Sequence, residues 1–191
     1  MKQARNQMDG LSLHYYTVAG WSGSKGSATD FTPEDYYWTM GKCLDIENCI
    51  KEHSAVMDKY DPKKRVALMV DEWGTWWDEE PGTIRGHLYQ QNTMRDAFVA
   101  ALSLNVFHKY TDRIKMANVL QSMILTKDDK MVLTPSYYVF QMYNVHQDAT
   151  YLPIEVQCEN KQVRARMGQD GEQRTLPMLG ATASKAQDGA V

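Results

Sequence analysis

Two carboxylates stand side by side at Asp71-Glu72, directly after the apolar run Val66-Ala67-Leu68-Met69-Val70 and directly before a tryptophan-rich segment. The run does not alternate apolar with polar residues, which is the pattern of a strand covered on both faces in a parallel sheet. Acids at the C-terminal end of such a strand sit where α/β barrels keep their catalytic groups. Successive strand residues point to opposite faces. The spacing therefore predicts one acid at the mouth of the sheet and the other turned away, toward a helix end or a basic partner. Glu72 is the sharper candidate, as a nucleophile in glycoside hydrolysis. Spacing alone leaves open the blander reading of a capping or salt-bridging carboxylate.

His14, Tyr15 and Tyr16 end an earlier apolar run, Gly10 to Tyr16, that reads as a buried strand. They could hydrogen-bond a sugar hydroxyl or hold a carboxylate in its ionised form. They could equally be aromatics at the rim of a core. Trp73, Trp76 and Trp77 crowd the acid pair. Indole faces pack against the apolar C–H faces of sugars, and core packing accounts for at least one of the three. His14, His53, His87, His108 and His146 form no HExxH and no paired ligand spacing, so no metal site is expected. Gly20 to Gly26 has the wrong spacing for a phosphate loop, and Ser22 and Ser24 lie in no GxSxG elbow.

The elements that must position these groups are partly legible. Residues 20–31, rich in Gly and Ser, read as a long loop, a length that is often functional. Thr32-Pro33-Glu34-Asp35 starts a helix: Thr caps, Pro suits the first turn and the acids suit the positive end of the dipole. Apolar residues from Tyr36 through Met40, Cys43, Ile46, Ile50 and Met57 to Tyr60 predict one long helix, stopped by Asp61-Pro62. A second helix is expected from about Gly86 to Asn105, with Leu88, Met94, Phe98, Ala101 and Leu102 on its buried side. Arg113 to Leu125 reads as a strand and then a short helix, Lys127-Asp128-Asp129-Lys130 as a polar turn, and Pro135 to Val145 as a helix. Past residues 147–150 the pattern changes to short strands at Tyr151–Cys158, Gln162–Met167 and Met178–Ser184, with a polar turn at Gln169-Asp170-Gly171. Strand–helix alternation followed by strands alone predicts part of a barrel followed by part of a β-sandwich.

Composition excludes several classes. The chain has 191 residues, 43% hydrophobic and 24% charged, with a net charge of -3. That suffices for one core and falls short of the roughly 250 residues of a complete α/β barrel, so the chain is expected to be incomplete. No basic run points to nucleic acid, and no apolar stretch approaches the ~20 residues of a membrane span. No signal peptide is legible at Met1-Lys2-Gln3-Ala4-Arg5. The compartment stays open, with a cytoplasmic setting as the guess. Cys43, Cys49 and Cys158 are an odd set without CxxC and are expected to be buried free thiols.

The segments His14-Tyr15-Tyr16, VDEWGTWWD at 70–78 and VLTPSYYVFQMYNVHQDATYLP at 132–153 resemble the C-terminal portion of glycoside hydrolase family 51, the α-L-arabinofuranosidases, and the likeness runs from about residue 9 onward. The resemblance implies a (β/α)8 TIM barrel, here its C-terminal portion over residues 1–147, then the truncated start of a β-sandwich over 148–191. It implies a retaining mechanism with Glu72 as nucleophile, His14 and Tyr16 lining the sugar pocket, and Trp76 bordering it. It implies no metal and no organic cofactor. The expected partner is an arabinose-containing oligo- or polysaccharide, and the parent protein is expected to be a homo-oligomer. Two departures stand out. The family's acid/base Glu follows an Asn, and no Asn-Glu dipeptide occurs in this chain. The family's Ala-Gln pair after the eighth strand is also missing: Met116-Ala117-Asn118 passes directly to Val119-Leu120-Gln121, as though a few residues were deleted. Two rival readings remain, a non-catalytic remnant that at most binds sugar, and a β-xylosidase- or β-glucosidase-like retaining hydrolase.

Overall fold

The computed structural model describes residues 1–165 and 171–191. Its centre is a three-stranded parallel sheet in the order β1 (Gly10–Thr17), β2 (Ala67–Thr75), β3 (Ile114–Val119). Helices α1 (Pro33–Cys43) and α2 (Ile46–Tyr60) connect β1 to β2, and α3 (Met94–His108) connects β2 to β3. A hairpin of β4 (Ile124–Lys127) and β5 (Lys130–Leu133) follows, turning at Asp128 and Asp129, and then α4 (Pro135–Tyr143). The remaining chain forms two antiparallel pairs, β6 (Thr150–Leu152) with β9 (Ala183–Lys185) and β7 (Asn160–Arg164) with β8 (Gln173–Pro177). The strand–helix order and the later antiparallel strands are as the sequence predicts.

The main core lies between the sheet and its helices, with Leu13, Ile50, Met57, Val66, Leu68, Val70, Trp73, Val106 and Phe107 buried. Trp73 packs edge-on to Phe107 at 5.1 Å and stacks on Phe140 at 6.2 Å, tying β2 to both α3 and α4. A second core of Trp38, Met40, Cys43, Val99, Val163 and Leu176 fixes the β7–β8 hairpin against α1 and α3. Gly41 permits that approach, since a Cβ there would meet Arg174 and Val163 at 3.3–3.4 Å.

Several expectations are corrected. The long helix breaks at Leu44-Asp45, because the Asp45 carboxylate is drawn into ion pairs with Arg174 and with Lys42 at 3.5 Å instead of capping α2. The second helix starts at Met94, not Gly86. Thr93 and Asp96 form a capping box there, while the Glu79 carboxylate accepts from the backbone of Gly86 and Leu88, whose positive φ values of 87° and 55° are not helical. Its buried side is Ala97, Val99, Ala100, Val106 and Phe107; Leu88, Met94 and Phe98 are exposed. The segment after β3 is the β4–β5 hairpin, not a short helix. The strand expected at 151–158 shortens to β6, and that at 178–184 shortens to β9, with the preceding β8 ending at Pro177. In the expected turn, Gln169 and Asp170 lie outside the described residues, as do Arg166 and Met167 of the predicted strand. All three cysteines are free; only Cys43 is buried, and burial pushes its thiol up to about 12.

At the end of the sheet opposite the acid pair, Arg113 is fully buried. It donates to Asp61 Oδ2 and to the Val66 carbonyl, both at 2.9 Å, and pairs with Asp58. One guanidinium thereby joins the end of α2 to the starts of β2 and β3. Replacing it with Met removes the cation that pairs with Asp61 and leaves the Val66 N–H on that carboxylate, so Arg113→Met should lower the midpoint of denaturant unfolding. Elsewhere, His108 contacts His146 at 4.8 Å between ring centroids, with its Nδ1 3.1 Å from Thr182 Oγ1. Burial, helped by His146, pulls the His108 pKa from 6.5 to about 4. A depressed folded-state pKa means that the unfolded chain takes up the proton first as pH falls. The stabilisation is therefore full above pH 6.5 and is lost toward pH 4. Melting temperatures measured across that window should fall less steeply for His108→Gln than for the unaltered protein.

Candidate active site

The site is built by an irregularity in β2. Against β1 the register runs Ser12↔Met69 and then His14↔Glu72; against β3 it runs Val70↔Ala117 and then Trp73↔Val119. On both sides β2 carries one residue more than its neighbour, which defines a β-bulge between Val70 and Trp73. Burial along β2 shows the same event. Leu68 and Val70 face the core before the bulge, Trp73 and Thr75 after it, so the buried face changes parity. Asp71 and Glu72 fall in the gap, consecutive and both outside the core. The expectation that they point to opposite sides is corrected: both reach the same imidazole. His14 Nε2 lies 3.3 Å from Asp71 Oδ1, and His14 Nδ1 lies 3.4 Å from Glu72 Oε2.

Strand β1 shows undisturbed alternation. Leu13 and Thr17 are buried, while Ser12 and His14 are exposed and Tyr16 is half-buried. Ser12, His14 and Tyr16 therefore line one face. Ser12 Oγ donates to Asp71 Oδ1 at 2.7 Å; that bond, with backbone donors and the neighbouring His14, holds the Asp71 carboxyl below the usual range. Tyr15 points to the core side, where its hydroxyl donates to the Lys42 carbonyl at 2.6 Å and burial raises its pKa. Of the three tryptophans near the acids, Trp73 and Trp77 are buried, and Trp76 is the half-buried one.

Trp76 completes an aromatic wall. Tyr16 meets Trp76 edge-on at 5.0 Å, Trp21 meets Trp76 at 6.0 Å and Tyr16 at 6.2 Å, and His14 lies 6.4 Å from Tyr16. The four residues singled out from sequence, His14, Tyr16, Glu72 and Trp76, thus share one end of the sheet. Trp21, Lys25 and Ser12 also belong to it and are not singled out by the sequence, while Asp71, one of the pair of which a single acid is expected at the mouth, lies there too. Lys25 Nζ lies 5.1 Å from the Trp76 ring centroid. Trp21 is 65% exposed near the start of the Gly/Ser-rich loop, and a lone indole in such a loop is the signal that could have found it. A cleft of about 770 Å³ opens beside Tyr16 and Trp21 toward Lys42, Asp45 and Arg174; its lining does not include His14 or Glu72.

The loop that carries Trp21 and Lys25 is clamped twice. Asp78 accepts from the Lys25 N–H at 3.0 Å and from the Ser24 hydroxyl, and its own N–H donates to the Gly26 carbonyl at 3.0 Å. Arg95, 2% exposed, lies 3.8 Å from the Phe31 ring centroid and 3.5 Å from that of Trp77, and donates to the carbonyls of Ser27 and Ala28. Burial lowers the Arg95 pKa to about 10. Beneath the wall, the buried Asp96 carboxylate accepts from the Thr75 hydroxyl, from Trp77 Nε1 at 2.8 Å and from Gln121 Nε2 at 3.3 Å. Asn92 continues the network to Gln121 at 2.7 Å and Ser136 at 2.9 Å.

Among the described residues, no group of three or more His, Cys, Asp or Glu is placed to hold a metal ion. No described helix is long and apolar enough to cross a membrane. Chemically, the site offers a half-exposed carboxylate at a strand tip, an imidazole beside it and a wall of indole and phenol rings. A carboxylate so placed can serve as a nucleophile or a base, and such rings pack against apolar faces of a ligand.

Comparison with known proteins fits this geometry. Residues 71–189 match the family described as the α-L-arabinofuranosidase C-terminal domain. The chain is 68% identical to an intracellular exo-α-L-arabinofuranosidase of Bacteroides ovatus, covering all of this chain and 37% of that protein. It superposes on the crystal structure of the family 51 arabinofuranosidase from Xanthomonas axonopodis pv. citri with a TM-score of 0.87 at 46% identity, covering 98% of this chain and 38% of that one. A family 51 α-L-arabinofuranosidase from Bifidobacterium longum, at 18% identity and a TM-score of 0.76, shares the fold. The chain therefore spans little more than a third of the length of these relatives, and it belongs to the α-L-arabinofuranosidases of glycoside hydrolase family 51.

Proposed function

We propose that this chain is the C-terminal part of a retaining enzyme that releases terminal α-L-arabinofuranosyl groups from arabinan or arabinoxylan fragments. In this reading, residues 1–147 supply the last strands of a (β/α)8 barrel and residues 148–191 begin a β-sandwich. The observation that carries it is the placement of Glu72. The carboxylate sits at the C-terminal end of a buried parallel strand, 3.4 Å from His14 and on the end of the sheet walled by Tyr16 and Trp76.

Glu72 attacks the anomeric carbon and forms a glycosyl-enzyme, which water then releases. The leaving oxygen needs a proton from a second carboxyl group about 5–5.5 Å from the first. That acid/base lies outside these 191 residues, in the part of the relatives that this chain does not span. His14 and Tyr16 offer polar groups to the sugar hydroxyls, and Trp76 covers an apolar sugar face.

In the full-length parent enzyme, Glu72→Ala should reduce turnover of an aryl α-L-arabinofuranoside by several orders of magnitude while leaving the melting temperature close to that of the unaltered protein. Turnover at the unaltered rate would remove Glu72 from the nucleophile's role. Trp76→Ala should act mainly on binding. Loss of one ring contact is worth about 1 kcal/mol, so KM for the same substrate should rise roughly fivefold with kcat little changed. A loss confined to kcat would show that Trp76 does not form the sugar platform.

A further inference from the structure

We infer that Asp71 is a positioning residue that acts on Glu72 through the His14 ring. This rests on the reading of Glu72 as the nucleophile and extends it to a neighbour on the same strand. The bulge sets two consecutive carboxylates against the two nitrogens of one imidazole, at 3.3 and 3.4 Å. A carboxylate offers only acceptors, and a neutral imidazole offers one N–H and one lone pair. One of the two contacts is therefore repulsive unless the three groups hold an extra proton between them. Either the ring is an imidazolium, or one carboxyl keeps the proton.

The two carboxylates are not equivalent. The Ser12 hydroxyl donates to Asp71 Oδ1 at 2.7 Å, and this stabilises the ionised form of Asp71. Asp71 is thus the better-supported anion and the natural acceptor for His14 Nε2–H. Nδ1 then faces Glu72 Oε2, 3.4 Å away. The remaining neighbour of the ring on β1 is Tyr16, at 6.4 Å between ring centroids. The order Ser12–Asp71–His14–Glu72 makes Asp71 the group that fixes which way the ring points. At 3.3 and 3.4 Å the two contacts are longer than strong hydrogen bonds, and such contacts at reaction centres tighten when substrate binds. Without Asp71, the ring has no partner on its far side, and Nδ1 no longer faces Glu72 reliably.

The test is a double-mutant cycle in the full-length parent enzyme, using an aryl α-L-arabinofuranoside. Asp71→Asn keeps the size and the acceptor for Ser12 but removes the charge. It should lower kcat about tenfold or more with KM nearly unchanged, because Asp71 acts through another residue. In a His14→Gln background the same substitution should change kcat by less than about twofold, since the route to Glu72 is already cut. Turnover by Asp71→Asn at the unaltered rate, or a loss that persists in full without His14, would overturn the proposal. If Asp71→Asn does not fold, Ser12→Ala gives the same readout: a smaller, His14-dependent loss supports the proposal, and an unchanged kcat refutes it. Failure of the underlying nucleophile assignment would show separately, as undiminished turnover by Glu72→Ala.

Discussion

One extra residue in the central strand governs this structure. Without the bulge in β2, alternation would turn either Asp71 or Glu72 into the packed layer between sheet and helices, where an unpaired carboxylate costs several kcal/mol. With it, the strand presents both acids on the solvent side in succession and then returns Trp73 to the core in the opposite parity. Trp73 in turn contacts Phe107 and Phe140, so the irregularity is held by packing from two helices. Gly74, with φ at 116°, relieves the backbone immediately afterward, and a Cβ there would press on Val119 Cγ2 at 3.2 Å.

The bulge places the acids, and a buried polar layer places what surrounds them. Asp96 has two tasks at once. One oxygen belongs to the capping box that starts α3, and the other accepts from Thr75, Trp77 and Gln121. A helix start and a strand end are thereby locked to the same carboxylate. Arg95, the neighbouring residue, is stacked between Phe31 and Trp77 and holds the loop that presents Trp21. The aromatic wall is consequently mounted on a rigid base, although two of its members, Trp21 and Trp76, lie outside regular strands. Rigid support of exposed rings suits sugar binding, where little energy is available to order a loop at the moment of contact.

The sequence made the strand, the acid pair and the aromatic residues legible because each depends on local pattern: an uninterrupted apolar run, a strand tip and a cluster of Trp. It failed where distant groups decide the outcome. The helix break at Leu44-Asp45 follows from a pairing with Arg174, far away in the chain. The late start of α3 follows from Glu79 binding the backbone of Gly86 and Leu88. The bulge lies between these cases. The shift from Leu68 and Val70 to Trp73 does mark it in the sequence, but period-2 reasoning assumes an unbroken ladder and so sent Asp71 to the wrong side. The resemblance to a known family identified His14, Tyr16 and Trp76 together, which spacing could not do, because these residues come from different segments.

On the reading proposed above, the same geometry keeps Asp71 from serving as the acid/base. Retaining hydrolysis needs its two carboxyl groups on opposite sides of the bond being broken, one to attack and one to protonate the departing oxygen. Asp71 and Glu72 are consecutive and approach one imidazole from the same strand, so no glycosidic bond fits between them. Asp71 is also held in its ionised form by Ser12, the opposite of what a proton donor requires. Two carboxylates in one site with different environments take different roles. Here the Ser12 donor that makes Asp71 a poor acid suits it to face the His14 ring as an anion.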